Sequence, residues 1–227
     1  MAKKDSTFLN MTLTLLIVTA LSAVALGFVY NSTKGPIKDA KAQKLKNAIN
    51  IVVPGADKGE VEEFKVPSPD GGEELTFYKV THNGELKGYA VNTYSNNGFS
   101  GHISVMVGFD ENGVIIDNNV LEHAETPGLG DKTSKDVSDW NSQFIGKNPA
   151  EFKLNVKKDG GDVDAITAAT ISSRAYCDAL DRAYRGFVAF KESSDSKLVE
   201  VSDDNTLIED NNTEVDSTSN ENIGGTK

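Results

Sequence analysis

Four hydroxyl side chains, Thr167, Thr170, Ser172 and Ser173, crowd into the stretch DAITAATISSRAY at residues 164–176. Small residues (Ala165, Ala168, Ala169) separate them, and an amphipathic run follows at once. The start of a helix there would expose free backbone N–H groups and the positive end of the helix dipole, a combination that attracts phosphate. The small neighbours would let a bulky group approach the backbone. Capping by Ser172 or Ser173 accounts for one hydroxyl and leaves the rest without a reason. A threonine acting as a nucleophile needs an adjacent base, and the segment holds no histidine. A hydroxyl in this setting is better suited to being modified by another enzyme than to attacking a substrate.

A second stretch with chemical character is AETPGLGDKT, residues 124–133. Gly128 and Gly130 permit positive φ and close approach of the backbone to a ligand, and Pro127 stiffens the loop. Leu129, between two glycines, either tucks into the core or packs on something flat. The same residues also suit an ordinary turn between two elements. The three histidines, His82, His102 and His123, have no metal-ligand spacing, and HExxH, Walker A and GxGxxG motifs are all missing. No metal site and no Rossmann or P-loop nucleotide site is expected. His82 reads as a solvated turn residue. His123, close to Glu125, either lines a site or forms a surface pair. Cys177 is the only cysteine, so an intramolecular disulfide is excluded. On the last helix it reads as a small buried side chain.

The elements that must position these stretches follow from periodicity. Tyr176, Leu180, Ala183, Tyr184, Phe187 and Val188 form a helical stripe facing a core, in a helix that begins near Ile171 and ends at Lys191. Upstream, 75–80 and 86–95 flank His82-Asn83-Gly84, and 102–110 and 114–123 flank Glu111-Asn112-Gly113. Asn-Gly between alternating apolar runs signals a hairpin, so two hairpins in series predict an antiparallel sheet. Residues 55–73 are turn-rich. Ser134 is a suitable N-cap for a short helix over 134–147, with Val137, Trp140 and Phe144 on one face. Residues 152–156 (FKLNV) predict a further strand.

The ends of the chain differ from its middle. No charge occurs from Ser6 to Thr33, and Phe8 to Tyr30 is largely apolar. As a helix this stretch reaches roughly 34 Å at 1.5 Å per residue, enough for a bilayer core of about 30 Å. Ala23-Val24-Ala25 offers a possible signal-peptidase site, but apolar character continues past it, which favours a retained anchor. Lys3 and Lys4 argue for a cytoplasmic N-terminus, whereas the five lysines between Lys34 and Lys46 argue for the reverse. The charge count therefore leaves the side open. Pro36 suits the first turn of a helix running to Val53 that continues outward from the span and docks on the domain. Of the formal net charge of −11, residues 192–227 contribute −8 through ten acids against Lys197 and Lys227. The acidity belongs to a tail that composition predicts to be disordered, and it makes no case for nucleic acid. The expected layout is an anchor at 1–33, a domain at 34–191 and a tail at 192–227.

The two chemical stretches, taken in this order, resemble the FMN-binding domain of the Rnf complex G subunit. The C subunit of the sodium-translocating NADH:quinone reductase shares that domain. The resemblance rests on His123-Ala-Glu-Thr-Pro-Gly-Leu-Gly130 and Asp164-Ala-Ile-Thr-Ala-Ala-Thr-Ile-Ser-Ser173 and covers about residues 8–190. It implies an α+β fold: a single N-terminal transmembrane helix, then a domain with an antiparallel hairpin sheet and flanking helices. It further implies FMN esterified through its phosphate to Thr170, a bond made by a flavin transferase with FAD as donor. Thr167 and Ala168 match the Ser/Thr-Gly pair of the family motif, with alanine where the family has glycine. Glu125, Thr126, Gly128 and Leu129 in the loop, and Thr167, Ala168, Ala169, Ser172 and Ser173 around the ester, are the implied cofactor contacts. Thr126 and Leu129 are implied to touch the isoalloxazine. The implied role is electron relay, with no catalytic residue or substrate turnover of its own, in a complex that moves electrons between ferredoxin and NAD while pumping Na⁺ or H⁺. Its partners would be other membrane subunits, at the cytoplasmic membrane, with the FMN domain on the extracytoplasmic side. The quinone reductase C subunit, or an anchored binding module without redox chemistry, are the alternatives.

Overall fold

The computed structural model describes residues 8–204. Helix α1, Phe8–Val52, is followed by a five-stranded antiparallel sheet of β1 (Glu60–Val66), β2 (Leu75–His82), β3 (Glu85–Gly98), β4 (Gly101–Phe109) and β5 (Ile115–His123), in spatial order β1-β2-β3-β4-β5. Turns and short 3-10 segments then lead to helix α2, Thr170–Asp204. The α+β arrangement is the one expected.

The hairpins form where the turn residues require them. Asn83 and Gly84 both take positive φ (54° and 79°), as a two-residue turn pairing His82 with Glu85 demands. At the next hairpin the Asp110 carboxylate accepts the N–H groups of Asn112 and Val114 and closes the loop around Gly113. Between them β3 and β4 meet at a tight turn, with Gly98 opposite Gly101 and Phe99-Ser100 at its tip. β1 falls within the stretch read as turn-rich. It is an exposed edge strand, EVEEFKV, in which the charges mask the strand pattern and also guard the edge against further pairing.

Alternation along the strands sends side chains to two covered faces. Tyr78, Val80, Ala90 and Met106 pack against Ala48, Ile49, Val52 and Val53 at the end of α1. On the other face Phe109 and Tyr89 meet Phe187 with ring centroids 5.1 and 5.5 Å apart, and Thr93 donates its hydroxyl to the Ala179 carbonyl. Gly108 makes the first packing possible, because a Cβ there would run into the Val52 backbone. Ala175, Tyr176, Ala179, Leu180, Ala183 and Phe187 form the buried stripe of α2. Tyr184 is half-buried and Val188 is exposed, so the stripe is narrower than its periodicity predicts. Asp70 clamps the β1–β2 connection to α2 by accepting from both Arg182 and Arg185. The Arg185 guanidinium, with that of Arg182, holds its carboxyl below the ordinary carboxylate range.

Several predicted elements differ. α1 is one uninterrupted helix with Pro36 in its interior, rather than a span followed by a helix opening at Pro36. A proline there forgoes a single backbone bond, and the helical turns on both sides continue. The helix predicted over 134–147 is replaced by turns and one 3-10 segment, Trp140–Phe144, with another, Gly130–Thr133, just before it. Its own polar groups compete for the backbone: Ser138 donates to the Lys132 carbonyl and accepts the Trp140 N–H. Val137 is exposed as a result. FKLNV makes only one bridge, Val156 with Val163, and anchors the segment through buried Leu154 and Val156.

The chain divides into a unit ending at Val188 and a second unit beginning at Ala189. Within the second, helical backbone continues to Asp204, so residues 192–204, placed in the disordered tail by composition, are helical. Propagating a helix already started costs far less than nucleating one. The rest of the tail, like residues 1–7, lies outside the described residues. In the first unit, the apolar stretch of α1 from Phe8 to Tyr30 is exposed throughout, and α1 is long and apolar enough to cross a membrane.

Candidate cofactor site

α2 begins at Thr170, and the chain before it closes on itself. The Ala169 N–H bonds to the Ile166 carbonyl at 3.0 Å, and the Ser173 hydroxyl accepts the Ile166 N–H while donating to the Ala169 carbonyl. Trp140 and Gln143 both donate to the Asp164 carbonyl, which fixes the approach to this turn. Neither Ser172 nor Ser173 acts as the N-cap. Both sit inside the first turn of the helix, from which Ser173 reaches back to the preceding turn and Ser172 sideways to Glu125. Ala168 takes φ +63°, the left-handed conformation. That geometry gives the physical reason for a glycine at this position of the motif, since an L side chain there costs about 1–2 kcal/mol. Ala168→Gly is therefore expected to stabilise the domain by roughly 0.5–1 kcal/mol after the larger unfolded-state entropy of glycine is subtracted. Thermal unfolding should show a melting temperature higher by about 1–4 °C.

The loop 124–130 meets this turn through Glu125. Its side chain is 5 % exposed, and its carboxylate accepts the Ser172 hydroxyl at 2.5 Å and the Ser100 N–H at 3.0 Å. Three segments distant in sequence are thus joined: the tip of the β3–β4 hairpin, the loop and the start of α2. Gly130 packs so tightly beneath them that a Cβ would collide with both Glu125 and Ser172. Gly128 has φ +77°, and Leu129 bonds back to the Thr126 carbonyl.

A cleft of about 290 Å³ opens where the segments converge, lined by Phe99, Glu125, Thr126, Leu129, Gly130 and residues 168–172. Its rim is apolar, with Phe99, Ile171 and Leu129 exposed by 67, 47 and 40 %. Ser172 and Ser173 use their hydroxyls on protein partners. Among the described residues Thr167 and Thr170 do not, and of these two only Thr170 lines the cleft. Of the residues implicated from sequence, Thr170, Glu125, Thr126, Leu129, Ala168, Ala169 and Ser172 come together here. Gly128, Thr167 and Ser173 do not line the cleft: Gly128 shapes the loop, Thr167 is exposed and Ser173 is buried. Gly130, singled out in the loop for close backbone approach, also lines the cleft, whereas Phe99 and Ile171 were missed. Phe99 stands in the turn Gly98-Phe99-Ser100-Gly101, where an exposed aromatic residue between glycines was the available signal.

Behind the start of α2, Tyr176 stacks on Phe144 and meets Trp140 edge-on, and its hydroxyl donates to Asn118 at 2.6 Å. Burial pushes the neighbouring Cys177 thiol up to about 12, a buried and unreactive sulfhydryl. His123 accepts the Glu125 N–H through Nδ1 and so braces the loop from outside the cleft. His82 contacts the Lys58 carbonyl through Nδ1 at 2.9 Å, which ties its turn to the domain. Among the described residues no cluster of His, Cys, Asp or Glu could hold a metal ion.

An apolar cleft, an available threonine hydroxyl at a helix start and a glycine-shaped floor fit a flavin phosphate and its flat ring. Residues 98–185 match the family model described as an FMN-binding domain, so the chain carries a flavin-binding domain behind a helix of membrane-spanning length. The chain belongs to the family of G subunits of ion-translocating oxidoreductase complexes. It is 36 % identical over 180 residues to the G subunit of the ion-translocating oxidoreductase complex of Vibrio atlanticus, covering 75 % of this chain and 86 % of that protein. The corresponding G subunit of Shewanella piezotolerans is 31 % identical over 186 residues, 78 % of this chain and 86 % of its own length. That of Salmonella typhi is 49 % identical over 89 residues, 38 % of this chain and 43 % of its length.

Proposed function

We propose that this chain is an electron relay of an Rnf-type complex, carrying FMN bound covalently through its phosphate to Thr170. The observation that carries the reading is the Thr170 hydroxyl, which begins α2, lines the cleft and has no protein partner among the described residues. Attachment would form a bond between Thr170 Oγ1 and the FMN phosphorus. A flavin transferase would break the pyrophosphate of FAD, release AMP and accept the hydroxyl proton. The ester retains one negative charge, which the first N–H groups of α2 and its dipole would stabilise. When bound, the flavin supplies the electron-transfer chemistry. The polypeptide's part is to hold and shield it: Leu129, Phe99 and Ile171 would exclude water from the ring, and Gly130 and Ala168 would allow close approach. A covalent link would keep the cofactor from being lost on a side of the membrane that has no FMN supply.

In this reading α1 fixes the domain to the cytoplasmic membrane on its extracytoplasmic face, beside the other membrane subunits of the complex. Relatives named as G subunits favour this complex over the quinone reductase. Protease added outside sealed spheroplasts should digest the domain while leaving a protected fragment that contains the apolar part of α1. An intact domain would place it on the cytoplasmic side. In the same preparation, mass analysis should find the FMN-phosphoryl mass on the peptide containing Thr170. A flavin-free chain from its native host would remove the relay reading.

A further inference from the structure

Of the residues lining the cleft, Glu125 alone has an ionisable side chain. It is also among the most buried, and both carboxylate oxygens are engaged: Oε1 accepts the Ser100 N–H and Oε2 the Ser172 hydroxyl. Gly98 and Gly130 enclose that carboxylate from two sides, each too close to accept a Cβ. The chain thus builds a dedicated chamber for one carboxylate against a cleft that is otherwise apolar or hydroxylated. Tying segments together does not by itself call for a carboxylate. A neutral amide could also accept hydrogen bonds, and burying a charge is costly.

We infer that the Glu125 carboxylate sets the redox potential of the cofactor in this cleft, holding it low. This rests on the reading that FMN occupies the site. Reduction adds two electrons to the ring and takes up fewer protons than electrons when the reduced ring is left anionic, so negative charge develops in the cleft. A fixed negative charge alongside raises the energy of that added charge, and a carboxylate this buried is poorly screened by solvent. Glu125 therefore disfavours the reduced form relative to the oxidised one and makes the reduced relay a stronger donor. The positions of its two donors explain why the charge stays directed at the cleft instead of turning to solvent.

The test is a spectroelectrochemical titration of the full-length chain, co-expressed with flavin transferase and purified in detergent, with dithionite as reductant at pH 8. Glu125→Gln keeps the shape and removes the charge. At the potential where the wild type is half reduced, its ratio of reduced to oxidised flavin should rise about tenfold, the size expected of one charge within some 10 Å at intermediate dielectric. Ser172→Ala removes the hydroxyl that partly offsets the carboxylate field, so its potential should move the opposite way. A flavin-loaded Glu125→Gln chain with an unchanged or lowered potential overturns the inference. If that variant does not fold or load, Ser172→Ala decides, and an unchanged or raised potential overturns it. Wild type without flavin removes both this inference and the reading beneath it. Flavin found on a residue other than Thr170, with Glu125→Gln still raising the potential, removes the attachment site and keeps the inference.

Discussion

Thr170→Ala is expected to abolish covalent flavin completely while leaving the domain folded. Flavin fluorescence in a denaturing gel should fall from a clear band to background, because the substitution deletes the only atom through which the proposed ester can form. The stability effect should be small, within about 0.5 kcal/mol, since Thr170 is half-buried and its hydroxyl makes no bond among the described residues. Thr170→Ser separates chemistry from shape. It keeps the oxygen and loses a methyl, so labelling should persist at a reduced level. The neighbouring hydroxyls supply the internal control. Thr167 lies outside the cleft and Ser173 is buried against the Ile166 N–H and the Ala169 carbonyl, so neither can substitute as acceptor. A fluorescent band of undiminished strength on the alanine protein would show that the flavin is attached elsewhere.

Tyr176→Ala should produce the largest loss of stability. The ring is fully buried between Phe144 and Trp140, and truncating a buried aromatic costs about 3–5 kcal/mol. The loss also leaves the Asn118 side-chain oxygen without the Tyr176 hydroxyl as donor, a further cost of roughly 1–3 kcal/mol. Tyr176→Phe isolates that second contribution and should cost only the smaller amount. Trp140 is the single tryptophan and meets Tyr176 edge-on at 5.3 Å, so denaturant unfolding followed by its fluorescence reports both variants directly. Tyr176 sits less than two helical turns beyond Thr170, and its removal should also loosen the start of α2 and lower flavin loading. Equal stability of wild type and Tyr176→Ala would mean that the aromatic cluster does not anchor the helix.

Legibility of the fold varied with the range of the interactions behind it. The Asn83-Gly84 turn and the α2 stripe were readable because their signals are local: a required positive φ in one case, a 3.6-residue period in the other. β1 was not, because an edge strand has one partner and mostly exposed side chains, and its charges give no apolar alternation. The 134–147 segment misled because Ser134 has the chemistry of a cap, and only the competing bonds of Ser138 show why no helix follows. The left-handed conformation of Ala168 was equally hidden, since alanine gives no hint of positive φ.

From the sequence alone came the membrane-length apolar run, the antiparallel hairpins, and two short stretches whose residue types suit a modifiable hydroxyl at a helix start and a ligand-facing loop, and whose order resembles an FMN-binding family. Each depends on neighbours along the chain and so survives as pattern. Tertiary structure decided that Ser172 and Ser173 are engaged and that Thr170, not Thr167, lines the cleft, brought Phe99 to its rim, and enclosed Glu125 between two glycines beside Ser172. Those facts depend on contacts such as those of Glu125 with Ser100 and Ser172, 25 and 47 positions away. Periodicity carries no information about such contacts, because they exist only once the sheet and α2 have packed together.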